Sequence, residues 1–395
     1  MKRCWLLALL GLLVVGMLCL SGCGKEPEAP SGGPGAGPTG EPYVIGAMFS
    51  VTGDTSSLGM PEKRTAEMLM KMINAGGGIN GRPVEIVIED TKGDPAETLN
   101  VAKRLVEAND VLAIVGPSRT GTTLAVVDYM ESVEVPLISC AAGVQIVEPV
   151  RKWVFKTPQS DRMAVQKIIE YLQAQGITRI ASLSDNTGFG KGGLAEIQAL
   201  MPNAGIQIVS TEEYGPTDKS METQLTKIKG TKAQAVVCWG TPPGPAIVAR
   251  NMRQLAMDTP LICSHGVANE TFLRTAGEAA NGVVLPAGRL IVVDQISADD
   301  PQRVVLEEYA RKYEAEFGQA ADTFGGHAWD AIELVALAIG EAGDDRAGIR
   351  DALEKTQGFV GTGGVFNFSP QEHNGLTKDA FVMVTVADGK WKLIR

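Results

Sequence analysis

The residues best suited to chemistry lie in two polar loops, each of which follows a short apolar run. Residues 111–115 are followed by the polar loop 118–123, and residues 136–138 are followed by the small residues 139–143. Hydroxyl groups such as that of Thr120, together with accessible backbone groups, offer hydrogen bonds to a ligand. The first loop also precedes a predicted helix, whose first N–H groups attract anions. The pattern therefore predicts a binding site for a molecule with an anionic group.

Patterns of catalytic chemistry are missing from the sequence. It contains neither a GxSxG nucleophile motif nor an HExxH metal motif, and its three histidines are scattered. Gly188, Gly190 and Gly193 fit the GxGxxG pattern of nucleotide-binding loops, but a lone match is weak and an exported chain does not usually use NAD. We therefore expect no enzymatic activity, no metal site and no cofactor.

The two loops belong to a regular alternation of apolar strands and amphipathic helices. Between the two apolar runs, Leu124, Val127 and Met130 recur at helical spacing, which predicts a βαβ unit. In parallel sheets built from such units, ligands bind beyond the carboxyl ends of the strands. The alternation starts at residue 43 and restarts near residue 163, so we predict an α/β protein with two lobes.

Three segments are expected to connect these lobes and to act as a hinge that closes without unfolding either lobe. These segments lie near residues 155–158, 286–288 and 359–368. Lobe 1 is formed by residues 43–157 plus 287–360, and lobe 2 by residues 158–286 plus 361–395.

A β-hairpin is predicted at the end of the chain, where two alternating runs meet at Asp388-Gly389.

The amino terminus carries an export signal. A basic start precedes an apolar run that ends in Leu-Ser-Gly-Cys, a combination typical of bacterial lipoproteins, in which residues 1–22 are removed and Cys23 is lipidated. A plain signal peptide or an amino-terminal membrane helix is the alternative. Cys23 and the Pro- and Gly-rich residues 24–42 then form a flexible tether. We expect a protein anchored to a membrane by lipid and facing the periplasm or the cell exterior.

The charge of the chain bears on its partners, and its cysteines bear on disulfide bonding. The chain has 46 acidic and 36 basic residues, which disfavours a nucleic-acid partner because phosphate binding needs basic surfaces. Cys238 and Cys263 each end an apolar run. The sequence is compatible with a disulfide between them and with buried free thiols.

Five segments in the same order resemble one family over nearly all of residues 42–395. That family is the branched-chain amino-acid (Leu/Ile/Val)-binding family of type I extracellular solute-binding proteins. The resemblance implies two Rossmann-like lobes, a three-strand hinge, a small solute trapped when the hinge closes, and an ABC permease with its ATPase subunits as partners. The segments read NAGGGINGRPVEIVIED, VLAIVGPSRTGTTLAV, PLISCAA, LSDNTGFGKGG and GTPPGPAIVARNMRQLAM.

The resemblance also implies ligand-binding residues in lobe 1. The hydroxyl that grips the ligand carboxylate, from Ser in the family, falls at Thr120. Backbone groups that face the carboxylate and ammonium fall at Ala141 and Gly143, and the family tends to have Thr at the second of these positions. The apolar residue that covers the ligand falls at Leu58.

In lobe 2 the sequence departs from the amino-acid binders. An aromatic residue of the family falls at Phe189, and the Gly-Gly-Tyr turn reads Trp239-Gly240-Thr241. The acidic residue that neutralises the ligand ammonium falls at His265. We expect a small solute with a carboxylate, either a branched-chain amino acid-like molecule or an aromatic or apolar organic acid. Because a buried ammonium without an anionic partner is costly, our hypothesis is the acid without an ammonium.

Structural roles stand beside these functional ones. His265 is alternatively a cap of the following helix, and His327 is expected to be structural and His373 to be solvated. Trp239 is equally a core residue, and Arg119 lies either near the site or in solvent. A ligand-sensing receptor of the same fold that feeds a signalling system is the alternative function.

Overall fold

A computed structural model of the protein describes residues 37–394. The predicted export signal, Cys23 and the first part of the predicted tether lie outside these residues. Within the described range, every helix is too short or too polar to cross a membrane.

The first lobe is built on a parallel sheet, as the alternation in the sequence predicted. Its strands are β1 (Tyr43–Phe49), β2 (Val84–Asp90), β3 (Ala113–Val115), β4 (Leu137–Ser139) and β5 (Val154–Lys156), in the order β2-β1-β3-β4-β5. They are joined by α1 (Ser56–Ala75), α2 (Pro95–Glu107), α3 (Thr120–Leu124) and α4 (Val127–Val133). Because the strands are parallel, the loops at their carboxyl ends meet at one edge. There the backbone N–H of Ser50, after β1, donates to the hydroxyl of Ser118, after β3, at 2.9 Å.

The helix predicted across residues 124–130 is interrupted. It forms two short helices that break at Ala125 and Val126. The hydroxyls of Thr122 and Thr123 both donate to the carbonyl of Arg119 at 2.9 Å, and such bonds compete with regular helix formation. Apolar spacing alone did not reveal this local competition.

The second lobe repeats the same construction. Its first strands are β6 (Arg179–Asp185), β7 (Gln207–Tyr214), β8 (Ala235–Trp239), β9 (Leu261–Cys263) and β10 (Val284–Ala287), and its helices are α5 (Asp161–Ala174), α6 (Gly188–Leu200), α7 (Glu222–Lys229), α8 (Gly244–Gln254) and α9 (Glu270–Ala276). All residues of β8 are buried, as expected for a strand covered on both faces. Cys238 and Cys263 lie opposite each other on β8 and β9, and both are buried free thiols.

The chain returns to the first lobe after β10. The returning elements are α10 (Arg303–Phe317), α11 (Thr323–Ala342), α12 (Arg346–Lys355), β11 (Gln357–Val360) and β12 (Val365–Asn367). α11 packs along α1, and α10 is joined to α1 by a buried hydrogen bond of 2.8 Å between the hydroxyls of Tyr309 and Thr65. The predicted crossing segment 359–368 contains parts of β11 and β12, which form a separate two-stranded antiparallel sheet.

The carboxyl-terminal hairpin is confirmed. β13 (Val382–Ala387) and β14 (Lys390–Leu393) pair antiparallel and complete the second sheet, whose order is β14-β13-β10-β9-β8-β6-β7. The chain thus passes between the two lobes after β5, after β10 and between β12 and β13.

Buried polar side chains connect the segments that cross between the lobes. Lys156 is fully buried, and its Nζ donates to the carbonyl of Pro158 at 2.6 Å and to Oδ1 of Asn374 at 3.1 Å. The prediction that His373 is solvated is wrong. Its ring is fully buried, stacks on Phe155 at 4.0 Å and contacts the carbonyl of Val154 at 2.9 Å, so the distant strand β5 removes it from water.

Candidate functional site

A cavity of about 250 Å³ lies between the two lobes. Its walls are mainly apolar, with a few polar side chains from both lobes, as is usual for small-molecule sites. It has room for roughly eight water-sized groups. The lining residues that matter for the argument are Leu58, Ser118, Arg119, Thr120, Cys140, Ala141, Pro158, Phe189, Thr241, His265, Phe324 and His327.

Most of the residues predicted from the resemblance lie on this cavity, although their roles in binding stay predictions. The residues on its wall are Leu58, Thr120, Ala141, Phe189, Thr241 and His265. Gly143 and Trp239 lie behind the wall instead. Each of them supports a residue that does line the cavity.

Residue 143 has no room for a side chain, because the methyl group of Thr120 occupies that space. A Cβ atom at position 143 would lie 2.3 Å from Cγ2 of Thr120. The N–H of Gly143 donates to the Thr120 hydroxyl oxygen at 3.2 Å, which fixes that oxygen and leaves its own proton available to the cavity. The N–H of Ala141 is likewise engaged, by the hydroxyl of Ser139 at 3.1 Å. Both backbone donors expected to face the ligand are therefore used within the protein.

Trp239 is fully buried and supports Phe189. The two ring centroids are 5.8 Å apart, and a Cβ atom at Gly193 would lie 2.1 Å from the indole. A Cβ atom at Gly190 would lie 1.8 Å from the carbonyl oxygen of Asp185. Close packing thus accounts for two of the glycines in the GxGxxG match.

Arg119 is the cation on the cavity wall. It is partly buried and has no ion-pair partner within 4.0 Å among the described residues, and its Nη1 is 3.4 Å from the carbonyl of Gly93. Burial lowers the pKa of Arg119, against the raising effect of Asp185 and Asp54. An unpaired, partly buried guanidinium is a natural partner for a carboxylate. Its place directly before Thr120 was the sequence signal for this role.

No Asp or Glu side chain lines the cavity in the part of the chain that the structure describes. Glu62 lies behind Ser118, whose hydroxyl donates to it. Burial raises the pKa of Glu62 well above its usual range, against the lowering effect of the Ser118 hydrogen bond. The cavity wall therefore offers positive but not negative charge to a solute.

Two histidines line the cavity near the hinge. His265 begins a short 3-10 helix (His265–Val267) and lies against the rings of Phe189, Trp239 and Phe381, while Asn269 caps the following α9, so His265 is not the cap. His327, expected to be structural, also faces the cavity. Burial, reinforced by the charge of Lys156, lowers the pKa of both histidines to about 3 and keeps them neutral. The role of α11 at the site was missed because it lies about 200 residues along the chain from Thr120 and is brought close only by the fold.

The cavity is closed by contact between the two lobes. A Cβ atom at Gly188, the first residue of α6, would lie 3.0 Å from Cα and N of Gly121 in α3. The two helices therefore meet backbone to backbone. A side chain at position 188 would therefore require the two backbones to move apart by a few tenths of an ångström.

Gly188→Ala is expected to weaken solute binding about tenfold, because the added methyl group holds the lobes apart. Gly121→Ala is the matched control, since its Cβ atom would lie 3.9 Å from the nearest atom across the cleft, which is ordinary contact. Calorimetric titration gives the affinity, and small-angle scattering gives the degree of closure. Equal affinities for the two variants would show that this contact does not limit closure.

Comparisons with known proteins agree with this architecture. The family described as "Periplasmic binding protein" matches residues 42–390. The Leu/Ile/Val-binding protein homolog 3 of Brucella melitensis is 24% identical and covers 88% of this chain and 92% of its own. An extracellular ligand-binding receptor from Rhodopseudomonas palustris has a TM-score of 0.85 at 27% identity over 90% of this chain and 100% of its own. The branched-chain amino acid transporter substrate binding protein LivJ from Streptococcus pneumoniae, solved with isoleucine, has a TM-score of 0.80 at 26% identity over 90% of this chain and 99% of its own.

Two α/β lobes that enclose a cavity at the carboxyl ends of their strands define a hinged solute-binding protein of type I. The chain belongs to the periplasmic binding protein family. Members of this family are exported solute-binding proteins and not enzymes, so the predicted fold and the predicted lack of enzymatic activity are confirmed.

Proposed function

We propose that the protein is the membrane-tethered solute-binding component of an ABC importer. It captures a small solute that has a carboxylate and an apolar body but no ammonium, and it traps this solute by closing the two lobes. The proposal draws the transport role from the resemblance to LivJ and other transporter proteins. It draws the solute chemistry from the residues of the cavity.

A single observation carries the solute assignment. Among residues 37–394, the side chains that line the cavity include Arg119, which has no ion-pair partner, and include no Asp or Glu. Arg119 and the Thr120 hydroxyl hold the carboxylate in this proposal, and Leu58, Phe189 and Phe324 surround the apolar body. The positive end of the α6 helix dipole adds a further attraction for an anion. A zwitterionic amino acid would bury its ammonium without an anionic partner, which costs several kcal/mol or about a thousandfold in affinity.

Leucine and 4-methylpentanoate test this directly, because they share one carbon skeleton and differ only in the ammonium. Calorimetric titration of protein that was unfolded and refolded to remove any carried solute should show 4-methylpentanoate binding about a thousandfold more tightly than leucine. The neutral 4-methylpentanamide should bind weakly, since it lacks the anion. Tight binding of leucine with no binding of the acid would contradict the proposal.

We also propose that Cys23 carries the lipid anchor, on the basis of the Leu-Ser-Gly-Cys box at positions 20–23. Cells labelled with an alkyne fatty acid should incorporate the label into the wild-type protein and not into Cys23→Ser. The wild-type protein should fractionate with membranes. A soluble, unlabelled wild-type protein would instead indicate a plain signal peptide.

A further inference from the structure

The polar groups of the cavity lie in two separate regions. Arg119 lies between this cavity and a second, smaller cavity of about 160 Å³. Lys92 also lines the second cavity. The charges that act on Arg119 are those of Asp185 and Asp54. The two histidines lie at the hinge instead, where Lys156 acts on both of them and the hydroxyl of Thr157 donates to the backbone carbonyl of His327 at 2.9 Å. The apolar body of a solute would lie between these regions.

The histidines have unused hydrogen-bonding capacity. Neither ring nitrogen of His265 has a partner among residues 37–394, and the same holds for Nδ1 of His327. Both side chains are more than nine-tenths buried and both line the cavity, at 8% and 7% exposure. Buried polar atoms are normally paired, because an unpaired one loses its bond to water without compensation. None of these three nitrogens is open to the cavity in this structure, so a bound solute becomes their partner when the imidazole rings turn.

The chemistry of two neutral imidazoles selects the group that they bind. Each neutral ring offers one donor and one acceptor, which a hydroxyl group matches by accepting one bond and donating another. Neither neutral ring supplies a negative charge that would hold an ammonium at this end. A second carboxylate would need a free cation, and Nζ of Lys156 already donates to Pro158 and Asn374.

We propose that the solute carries a hydroxyl group at the end opposite its carboxylate, and that His265 and His327 receive this group. The inference rests on the proposed function, since it assumes that a carboxylic acid fills the same cavity. It goes further by assigning the far end of the solute and by making the two histidines determinants of specificity. The class of solute is then an apolar acid hydroxylated at its far end.

Matched pairs of rigid acids test the inference separately from the proposed function. Phenylacetate and 3-phenylpropanoate are titrated calorimetrically against their para-hydroxy, para-methoxy and para-carboxy derivatives. We expect the hydroxyl to tighten binding about tenfold for the acid of matching length, and the methoxy and carboxy groups to give no gain. No binding by any acid would contradict the proposed carboxylate site. Binding of the parent acids without a hydroxyl gain, or a larger gain from the second carboxylate, would overturn the inference.

Variants assign the gain to the histidines. In His265→Phe and His327→Phe, the ratio of the affinities for the hydroxylated and parent acids should fall towards one, whatever the affinity for the parent acid. In Lys92→Met, which changes an exposed side chain beside the second cavity, the ratio should stay at its wild-type value. Thermal unfolding verifies that each variant is folded. A ratio that survives in both histidine variants would overturn the assignment, and the titrations of the wild-type protein decide the inference even if a variant does not fold.

Discussion

Replacing Arg119 by methionine is expected to weaken binding of 4-methylpentanoate about 100-fold and to raise the thermal stability of the ligand-free protein. The loss follows because a carboxylate in a closed cleft would lose its charged partner. The gain follows because burial lowers the pKa of Arg119, so the folded state disfavours its charged form relative to the unfolded state. Methionine keeps much of the apolar stem but not the charge.

The opposite signs of these two effects separate a binding role from a folding role. Calorimetric titration measures the affinity, and thermal unfolding without solute measures the stability. Arg119→Lys should show an intermediate affinity, since it keeps the charge and loses the planar fork. Lys92→Met is the matched control, because it removes a charge that borders only the second cavity and should change affinity less than about threefold. Unchanged affinity in Arg119→Met would place the carboxylate elsewhere.

The fold was predictable because its signals are local and repeated. Short buried runs such as β8, and helices with one apolar face such as α2, recur in strict alternation, and parallel strands place their following loops at one edge. Both lobes and the hairpin at Asp388-Gly389 follow from these rules. The interruption after Leu124 did not follow, because the apolar spacing of Leu124, Val127 and Met130 continues across it unchanged.

The site was only partly predictable, since it depends on contacts between distant segments. His373 sits in a polar stretch of sequence, yet Phe155 and the carbonyl of Val154 bury it. Trp239 looked equally suited to core and cleft, and the absence of a side chain at Gly193 lets it pack behind Phe189. Residue type alone does not tell which of two neighbouring positions faces the cavity.

Substitutions at Thr120 and Gly143 are expected to change the affinity for the solute strongly and non-additively, because the two residues are in direct contact. Gly143→Ala alone is expected to weaken solute binding about 30-fold, because its Cβ atom would lie 2.3 Å from the methyl group of Thr120 and 3.0 Å from the hydroxyl oxygen. Overpacking of this kind forces neighbouring side chains out of place and costs about 1–3 kcal/mol. The displaced hydroxyl would then no longer point its proton into the cavity. Thr120→Ser alone removes the methyl group, keeps the hydroxyl and should change affinity less than about threefold.

The double variant Thr120→Ser with Gly143→Ala should recover most of the lost affinity, since the serine leaves room for the new methyl group. The coupling energy between the two positions should then be about 2 kcal/mol, a value typical of side chains in direct contact. The four proteins of the cycle are compared by calorimetric titration with the same acid, and thermal unfolding verifies that each is folded. Additive losses would mean that the methyl group of Thr120 does not set the size of residue 143. A recovered double variant would instead establish that the space at residue 143 and the direction of the Thr120 hydroxyl are controlled by one methyl group. The same variant places at position 120 the serine that the resemblance to amino-acid binders implies, so its affinity for leucine measures how much of their specificity lies in this pair.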